Sequence, residues 1–172
     1  RIMSAMKLAR PLIAAALVGA LAIGAYVTLT RNAPAPDVPM ALLSGQSQRM
    51  SDLRGQVVLV NFWATSCSTC MHEMPKLVEI YKQHQGKGLR TVAVAMSYDP
   101  PAFVANYAQS RQLPFDVAID NTGKVAESFG RVQLTPTTFV VNKRGQIVKQ
   151  YVGQPDYVAL NALIVQLQGE PG

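Results

Sequence analysis

The pattern of hydrophobic and polar positions divides the chain into a long apolar run near its N-terminus and a longer region of short, alternating patterns. The first run covers the 20 residues Pro11–Thr30 without a single charge. In the second region, Val57–Trp63 and Leu89–Met96 are nearly continuous apolar runs. Runs of this length are typical of strands that are covered on both faces of a sheet.

The second region also shows helical periodicity between its apolar runs. Apolar residues at i, i+3, i+4 and i+7 over Met74–Tyr81 predict a helix from about Cys67 to Gln85. The other predicted elements are two hairpins (Pro39–Leu43 with Gln46–Met50, and Thr137–Asn142 with Gln146–Val152), a strand (Phe115–Asp120) and three helices (Pro101–Gln112, Thr122–Phe129 and Asp156–Gln168). This alternation, closed by a hairpin and a last helix, predicts an α/β fold with a mixed central sheet and helices on both sides.

The apolar run near the N-terminus predicts a transmembrane helix. At about 1.5 Å per residue, its 20 residues reach about 30 Å, the thickness of the hydrocarbon core of a bilayer. Three basic residues precede the run and one follows it, which predicts a cytoplasmic N-terminus. A cleaved signal peptide with a small-x-small site at Ala20–Ala22 is the alternative, although signal h-regions are shorter, about 7–15 residues. We therefore expect residues 1–31 to be a signal-anchor segment.

A proline-rich stretch separates this predicted anchor from the rest of the chain. Residues 32–39 read NAPAPDVP, with three prolines in eight positions. Such composition is typical of an extended, semi-rigid tether. The sequence therefore predicts a linker over residues 32–39 and one folded domain over residues 40–172.

The net charge of +6 comes mainly from the N-terminus. All charges before Pro36 are basic, whereas from Asp37 onward 12 basic residues face 10 acidic ones. This near balance excludes a basic nucleic-acid-binding face as the leading interpretation. A charged fraction of 15% with 49% hydrophobic residues also argues against intrinsic disorder.

The two cysteines, Cys67 and Cys70, lie where the predicted strand gives way to the predicted helix. Three residues apart at a helix start, they share one face and lie close enough for a disulfide. The free N–H groups and partial positive charge of a helix N-terminus stabilise a thiolate, which favours Cys67 as nucleophile and Cys70 as resolving thiol. Ser66 is the expected N-cap. A strand followed by CxxC and a helix indicates redox chemistry.

Other uses of a CxxC pair fit the sequence less well. A disulfide that closes so short a loop stabilises a fold weakly, and a zinc site needs about four ligands. Attached c-type haem needs His directly after the second cysteine, where this chain has Met71. Binding of Cu(I) stays open, since two thiolates stand beside Met71, His72 and Met74. We expect no organic cofactor.

Two motifs together carry a family resemblance. FWATSCSTC at residues 62–70, followed by LTPTTFVVNKRGQIV at residues 134–148, resembles the thioredoxin superfamily. The sequence is most similar to the TlpA/ResA-like branch of membrane-anchored thiol-disulfide oxidoreductases. The resemblance covers about Val38 to Leu167 and includes SDLRG at Ser51–Gly55. It implies a thioredoxin-like fold with an extra N-terminal hairpin.

The resemblance also implies roles for individual residues. Cys67 and Cys70 match the active-site pair, and Trp63 matches the tryptophan four residues before the nucleophile. Thr135 and Pro136 match the cis-proline dipeptide that faces the disulfide. A proline there has no N–H, and the backbone of Thr135 would be free to pair with an extended substrate segment. Trp63, Thr135 and Pro136 are therefore the expected substrate-binding residues.

Glu73 is the third expected catalytic residue. Thioredoxins carry a buried acid six residues before the nucleophile, where this chain has Asn61. In the TlpA/ResA-like branch a glutamate three residues after the second cysteine resembles Glu73. One helical turn from Cys70, its carboxylate can accept or return the proton of the resolving thiol. The alternative is that Glu73 only complements the helix dipole.

The resemblance finally implies a cellular role. It favours a reductase of protein disulfides on the periplasmic side of the bacterial cytoplasmic membrane, of the kind that serves cytochrome c maturation. Such a reductase depends on a membrane protein that donates electrons through thiols. The alternatives are a disulfide oxidase or isomerase, and a Cu(I) metallochaperone.

Overall fold

A seven-stranded mixed sheet lies at the centre of the computed structural model, which describes residues 32–172. Its strands are β1 (Met40–Leu42), β2 (Ser47–Gln48), β3 (Val57–Trp63), β4 (Leu89–Ala95), β5 (Asp116–Ile119), β6 (Thr137–Val141) and β7 (Ile147–Val152). They lie in the order β2-β1-β5-β4-β3-β6-β7. Strands β3, β4 and β5 run parallel, and the pairings of β1, β2, β6 and β7 are antiparallel.

Four α-helices cover the sheet in the described part of the chain. They are α1 (Ser68–His84), α2 (Pro101–Ser110), α3 (Lys124–Ser128) and α4 (Tyr157–Gly169), and short 3-10 turns occupy Met50–Leu53 and Gln85–Lys87. The predicted mixed sheet with helices on both sides is confirmed, as is the N-terminal hairpin, which extends the sheet beyond β5. Met50, predicted to end a strand, instead begins the first 3-10 turn.

The central strand β3 places the cysteines at one edge of the sheet. All seven of its residues are buried, and it pairs with β4 on one side and β6 on the other. Its side chains alternate between the two faces of the sheet, with Phe62 in the apolar cluster that includes α3 and Trp63 in the cluster that includes α1 and α2. Because the chain passes from the carboxyl end of β3 into α1, the CxxC pair lies at that end of the sheet.

The predicted linker does not behave as a free tether. The backbone N–H of Ala35 donates to the carbonyl of Gly145 at 2.9 Å, and the N–H of Ile147 donates to the carbonyl of Ala33 at 2.8 Å. Ala35 is buried in the core cluster on the α3 face. The extended backbone that proline imposes leaves the groups of the intervening alanines free to pair with the β6–β7 hairpin.

His84, near the C-terminal end of α1, links that helix to α4. The side chain is buried, with Nε2 2.7 Å from Asn161 Oδ1 and Nδ1 3.1 Å from Gln168 Oε1. Both partners lie on α4. The residue therefore fastens the helix that carries the cysteines to the C-terminal helix.

The predicted anchor over residues 1–31 lies outside the described residues. Within residues 32–172, none of the helices has the length and apolar character that crossing a membrane requires. Residues Ala33–Gly172 form one compact unit with its own core.

Candidate active site

Cys67 and Cys70 form a disulfide at the N-terminus of α1, with their Cα atoms 5.2 Å apart. Cys67 is itself the N-cap, because the backbone N–H of Cys70 donates to its sulfur at 3.1 Å. The predicted cap, Ser66, does not fill this position. Cys67 is half-buried, whereas Cys70 is only 1% exposed. The outer sulfur is thus the one that a second disulfide can reach, and the helix N–H faces the atom that becomes negative when the bond opens.

The Thr135–Pro136 peptide bond is cis, as the resemblance implied. The carbonyl oxygen of Thr135 lies 3.5 Å from Cys67 Sγ, although the two residues are 68 positions apart in the sequence. Pro136 is buried and Thr135 is half-buried. The fold therefore brings the two motifs together at the exposed sulfur, where the backbone of Thr135 borders the space that a client polypeptide must enter.

Trp63 is fully buried, so its side chain offers no surface for the substrate contact expected from the sequence. Its ring packs against that of Tyr107, with centroids 5.3 Å apart, and it belongs to the same apolar cluster as Cys70 and Met74. The reason is its position on a central strand that is covered by α1 and α2. Trp63 packs behind the disulfide and supports it.

Glu73 lies one turn from Cys70 on α1 and is 1% exposed. Its Oε1 accepts weak hydrogen bonds from Asn61 Nδ2 at 3.4 Å and from the hydroxyl of Thr138 at 3.5 Å. Asn61 also donates to Thr138 Oγ1 at 2.9 Å, because the two are cross-strand neighbours on β3 and β6. Oε2 of Glu73 has no hydrogen-bond partner among the described residues.

Burial raises the pKa of Glu73 from its ordinary value of 4.5 to about 7, and the hydrogen bond from Thr138 opposes part of that rise. Desolvation disfavours the charged carboxylate more than these few donors favour it. Tyr157 has its pKa raised to about 12 by burial and, secondarily, by the charge of Glu73. A carboxyl with a pKa near neutrality can both take up and give back a proton at physiological pH, which general acid–base catalysis requires.

The loop that follows β4 also contacts the segment that carries the cysteines. The buried carboxylate of Asp99 accepts hydrogen bonds from the backbone N–H of Thr65 at 2.6 Å and from its hydroxyl at 2.5 Å. The neighbouring Tyr98 places its hydroxyl 3.4 Å from Thr135 Oγ1. Asp99 was not identified from the sequence. One signal for Thr138 was present, because it is one of two polar residues that begin the otherwise apolar strand β6.

The arrangement of possible metal ligands bears on the copper interpretation. Within residues 32–172, no three side chains of His, Cys, Asp or Glu come together as a group that could hold a metal ion. Met74 is buried in the core, and His72 points to the exposed side of α1. The geometry of the cysteines is that of a redox disulfide with an exposed and a shielded sulfur.

Comparison with known proteins agrees with this geometry. The Redoxin family model matches residues 30–162. The thiol-disulfide oxidoreductase ResA of Geobacillus thermodenitrificans is 36% identical over 119 residues, which cover 69% of this chain and 67% of the relative. ResA of Bacillus anthracis is 35% identical over 120 residues, covering 70% and 68%.

Solved structures show the same fold. A thiol:disulfide interchange protein of the thioredoxin family from Chlorobium tepidum has a TM-score of 0.73 at 25% identity, over 81% of this chain and 99% of that protein. The exposed lipoprotein thioredoxin of Streptococcus pneumoniae has a TM-score of 0.68 at 27% identity, over 77% and 100%. Together with the cysteine geometry, these matches show that the chain belongs to the Redoxin family and is a TlpA/ResA-like protein thiol-disulfide oxidoreductase.

Proposed function

We propose that this oxidoreductase is a reductase of protein disulfides that faces the periplasm and serves a pathway such as cytochrome c maturation. The observation that carries the proposal is the buried carboxyl of Glu73, one helical turn from Cys70. A negative charge there opposes formation of the Cys70 thiolate and so favours the disulfide over the dithiolate. A couple whose disulfide is favoured is a reducing couple. In addition, no Lys, Arg or His lies between Asn61 and Met71 to stabilise thiolates.

The catalytic cycle follows from the roles of the three residues. The Cys67 thiolate attacks a client disulfide, so that a mixed disulfide forms and one client thiolate leaves. Glu73 then takes the proton of the Cys70 thiol, and the resulting thiolate attacks Cys67 Sγ. The second client thiolate leaves, and the Cys67–Cys70 disulfide is restored. Two electrons have passed to the client, and a membrane protein that donates electrons through thiols must supply the next two.

The proposed location depends on the N-terminal segment. Residues 1–31 would hold the protein in the cytoplasmic membrane as an uncleaved anchor, with the catalytic domain on the outer side. The solved relative from Streptococcus pneumoniae is described as an exposed lipoprotein thioredoxin, which supports action outside the cytoplasm. Proteins with disulfides are the clients that this location offers, because disulfides persist in oxidising compartments.

Substitution of each cysteine tests the proposed roles. Cys67→Ala is expected to abolish disulfide exchange, because it removes the accessible nucleophile. Cys70→Ser is expected to trap clients on Cys67 as mixed disulfides, since the resolving thiol is missing. Non-reducing electrophoresis of the trapped adducts is the measurement. Equal alkylation rates of the two thiols in the reduced protein would contradict the assignment.

Equilibration with glutathione buffers tests the direction of electron flow. We expect a reduction potential below about −200 mV, on the reducing side of glutaredoxin-like couples. The reason is the charge of Glu73 beside Cys70, together with the absence of Lys, Arg and His between Asn61 and Met71. A potential near −120 mV, the value of strong periplasmic oxidants, would contradict the proposal and indicate an oxidase.

A further inference from the structure

Glu73 is enclosed, so the proton that it takes from Cys70 needs a path to water. Both residues are only 1% exposed. Oε1 of Glu73 faces Asn61 and Thr138, whereas Oε2 is buried without a hydrogen-bond partner in the described part of the chain. A buried carboxylate oxygen without a partner is costly, and such atoms are rare in folded proteins. Oε2 is therefore the atom at which a path for the proton can begin.

The hydroxyl of Tyr157 is a second buried polar group without a partner among residues 32–172. Tyr157 begins α4 and packs against the apolar cluster that contains Leu59 and Val140. These two residues are cross-strand neighbours on β3 and β6, one layer from the pair that contacts Glu73. Because side chains two positions apart on a strand share a face, Tyr157 and Glu73 lie over the same face of the sheet. Burial and, secondarily, the charge of Glu73 raise the pKa of Tyr157 to about 12.

A groove of about 250 Å³ between α1 and α4 reaches Tyr157 from the solvent side. Lys76 and Ile80 of α1 line this groove opposite Tyr157. They follow Glu73 by three and seven positions, so all three share one face of the helix. The ring of Tyr157 lines the groove, but its hydroxyl oxygen is buried. The hydroxyl is therefore directed from the groove towards the interior, where Glu73 lies.

Other titratable side chains surround this pair. On the described elements packed here, they are Cys70, Lys76, Glu79, His84, Lys149, Tyr151 and Asp156. Lys76 and Glu79 form an exposed ion pair at 2.9 Å, and His84 is bound to side chains of α4. Asp156 accepts backbone N–H bonds at the start of α4. None of these side chains makes a hydrogen bond to Oε2 of Glu73.

We propose that Tyr157 is a positioning residue of disulfide exchange, whose hydroxyl and one buried water carry the proton from Oε2 of Glu73 to the α1–α4 groove. The inference rests on the proposed role of Glu73 as the base for Cys70. Buried polar groups without protein partners are the kind of site that an internal water occupies. The water accepts the proton of Glu73 and passes one of its own to the oxygen of Tyr157, which gives its original proton to water in the groove. No electron moves, and the carboxylate is free to act again.

Reaction of the reduced chain with one equivalent of Ellman's reagent, an aromatic disulfide, tests the proposal because it follows the two thiols separately. Attack by Cys67 releases one thionitrobenzoate, and attack by Cys70 on the mixed disulfide releases the second. We expect Tyr157→Phe to preserve the first release and to slow the second about tenfold at neutral pH, a part of the roughly hundredfold that a positioned acid–base group supplies. The control Tyr81→Phe, on α1 with its ring 5.6 Å from that of Phe115, should slow neither release.

Two comparisons distinguish this role from a structural one. Tyr157→Phe should cause no further slowing in a Glu73→Gln chain, because the hydroxyl acts only through the carboxyl. The pH at which the second release reaches half its maximal rate should rise in Tyr157→Phe, since the carboxylate loses a donor. Equal second-release rates in the wild-type chain and Tyr157→Phe would overturn the inference. The same proportional slowing with and without Glu73 would also overturn it.

The same reaction reports separately on the proposed function. A second release that Glu73→Gln does not slow would contradict the role of Glu73 itself, whatever the effect of Tyr157→Phe. Loss of the first release in the wild-type chain would remove Cys67 as the nucleophile. A second release that depends on Glu73 but not on Tyr157 would keep the proposed function and overturn only the proton path.

Discussion

At the scale of single residues, the carboxyl of Glu73 shows how the fold produces a group that titrates near neutrality. The helix places it one turn from Cys70, and the sheet surrounds it with only Asn61 and Thr138 as donors. These bonds are long, so they offset little of the desolvation cost, and burial raises the pKa of Glu73 to about 7. The same environment that supplies a proton acceptor for Cys70 therefore costs the protein stability.

That cost gives a prediction for Glu73→Gln. In the folded protein the pKa is about 7 and in the unfolded chain about 4.5, so the folded state binds more protons between these values. The free energy of unfolding therefore falls as pH rises from about 4.5 to 7, by about 3 kcal/mol at roughly 1.4 kcal/mol per pH unit. Glu73→Gln should remove this decrease in the free energy of unfolding, and it should slow disulfide exchange at neutral pH. Urea unfolding at several pH values is the measurement.

Glu79→Gln is the matched control for that experiment. Glu79 lies on the same helix but is exposed and paired with Lys76 at 2.9 Å, so its substitution should leave the pH dependence nearly as it is. If the free energy of unfolding of the wild-type chain does not decline between pH 4.5 and 7, Glu73 ionises in the folded protein without a desolvation cost. In that case Glu73 would act only through the helix dipole, the alternative that the sequence left open.

The site residues differ in how far the sequence predicts them. Cys67, Cys70 and Glu73 are close in sequence, so helical geometry alone places them together. Thr135 and Pro136 were assigned from the resemblance, and the fold confirms that they meet Cys67. Asp99 and Thr138 were not predicted, because their contacts join segments that are 34 and 65 positions apart. Trp63 was assigned to substrate contact from the resemblance, although the apolar run that contains it already predicted a strand covered on both faces.

At the scale of elements, the hydrophobic pattern predicts which helices and strands form, but it predicts the capping residue at the start of a helix less well. The continuous apolar run predicted β3 with the bounds that the structure has, because both faces of that strand are buried. The start of α1 differs from the prediction, since Cys67 caps the helix through its sulfur and Ser66 does not. A cysteine as N-cap is not foreseen by the usual preference for Ser, Thr, Asp or Asn. This capping bond is also what aims a helix N–H at the reactive sulfur.

At the scale of the whole molecule, the alternation of strands and helices predicts the layered architecture, because each amphipathic helix needs a sheet face to cover. The order of the strands does not follow from alternation, and it was not predicted from the sequence. The pairing of residues 33–35 with the β6–β7 hairpin was not predicted either. Composition indicates that such a segment is extended, but only the assembled fold shows which surface lies beside it.

Two chains of different length test whether residues 32–39 belong to the folded domain. Compared with a chain that begins at Asn32, one that begins at Met40 loses the backbone bonds of Ala33 and Ala35 to the hairpin and the buried side chain of Ala35. Each backbone bond contributes about 1 kcal/mol net, and release of the segment returns part of its conformational entropy. We therefore expect the shorter chain to unfold with a free energy lower by about 1–3 kcal/mol, measured in urea. Identical urea midpoints for the two chains would instead indicate that residues 32–39 are a free tether, as the proline content predicted.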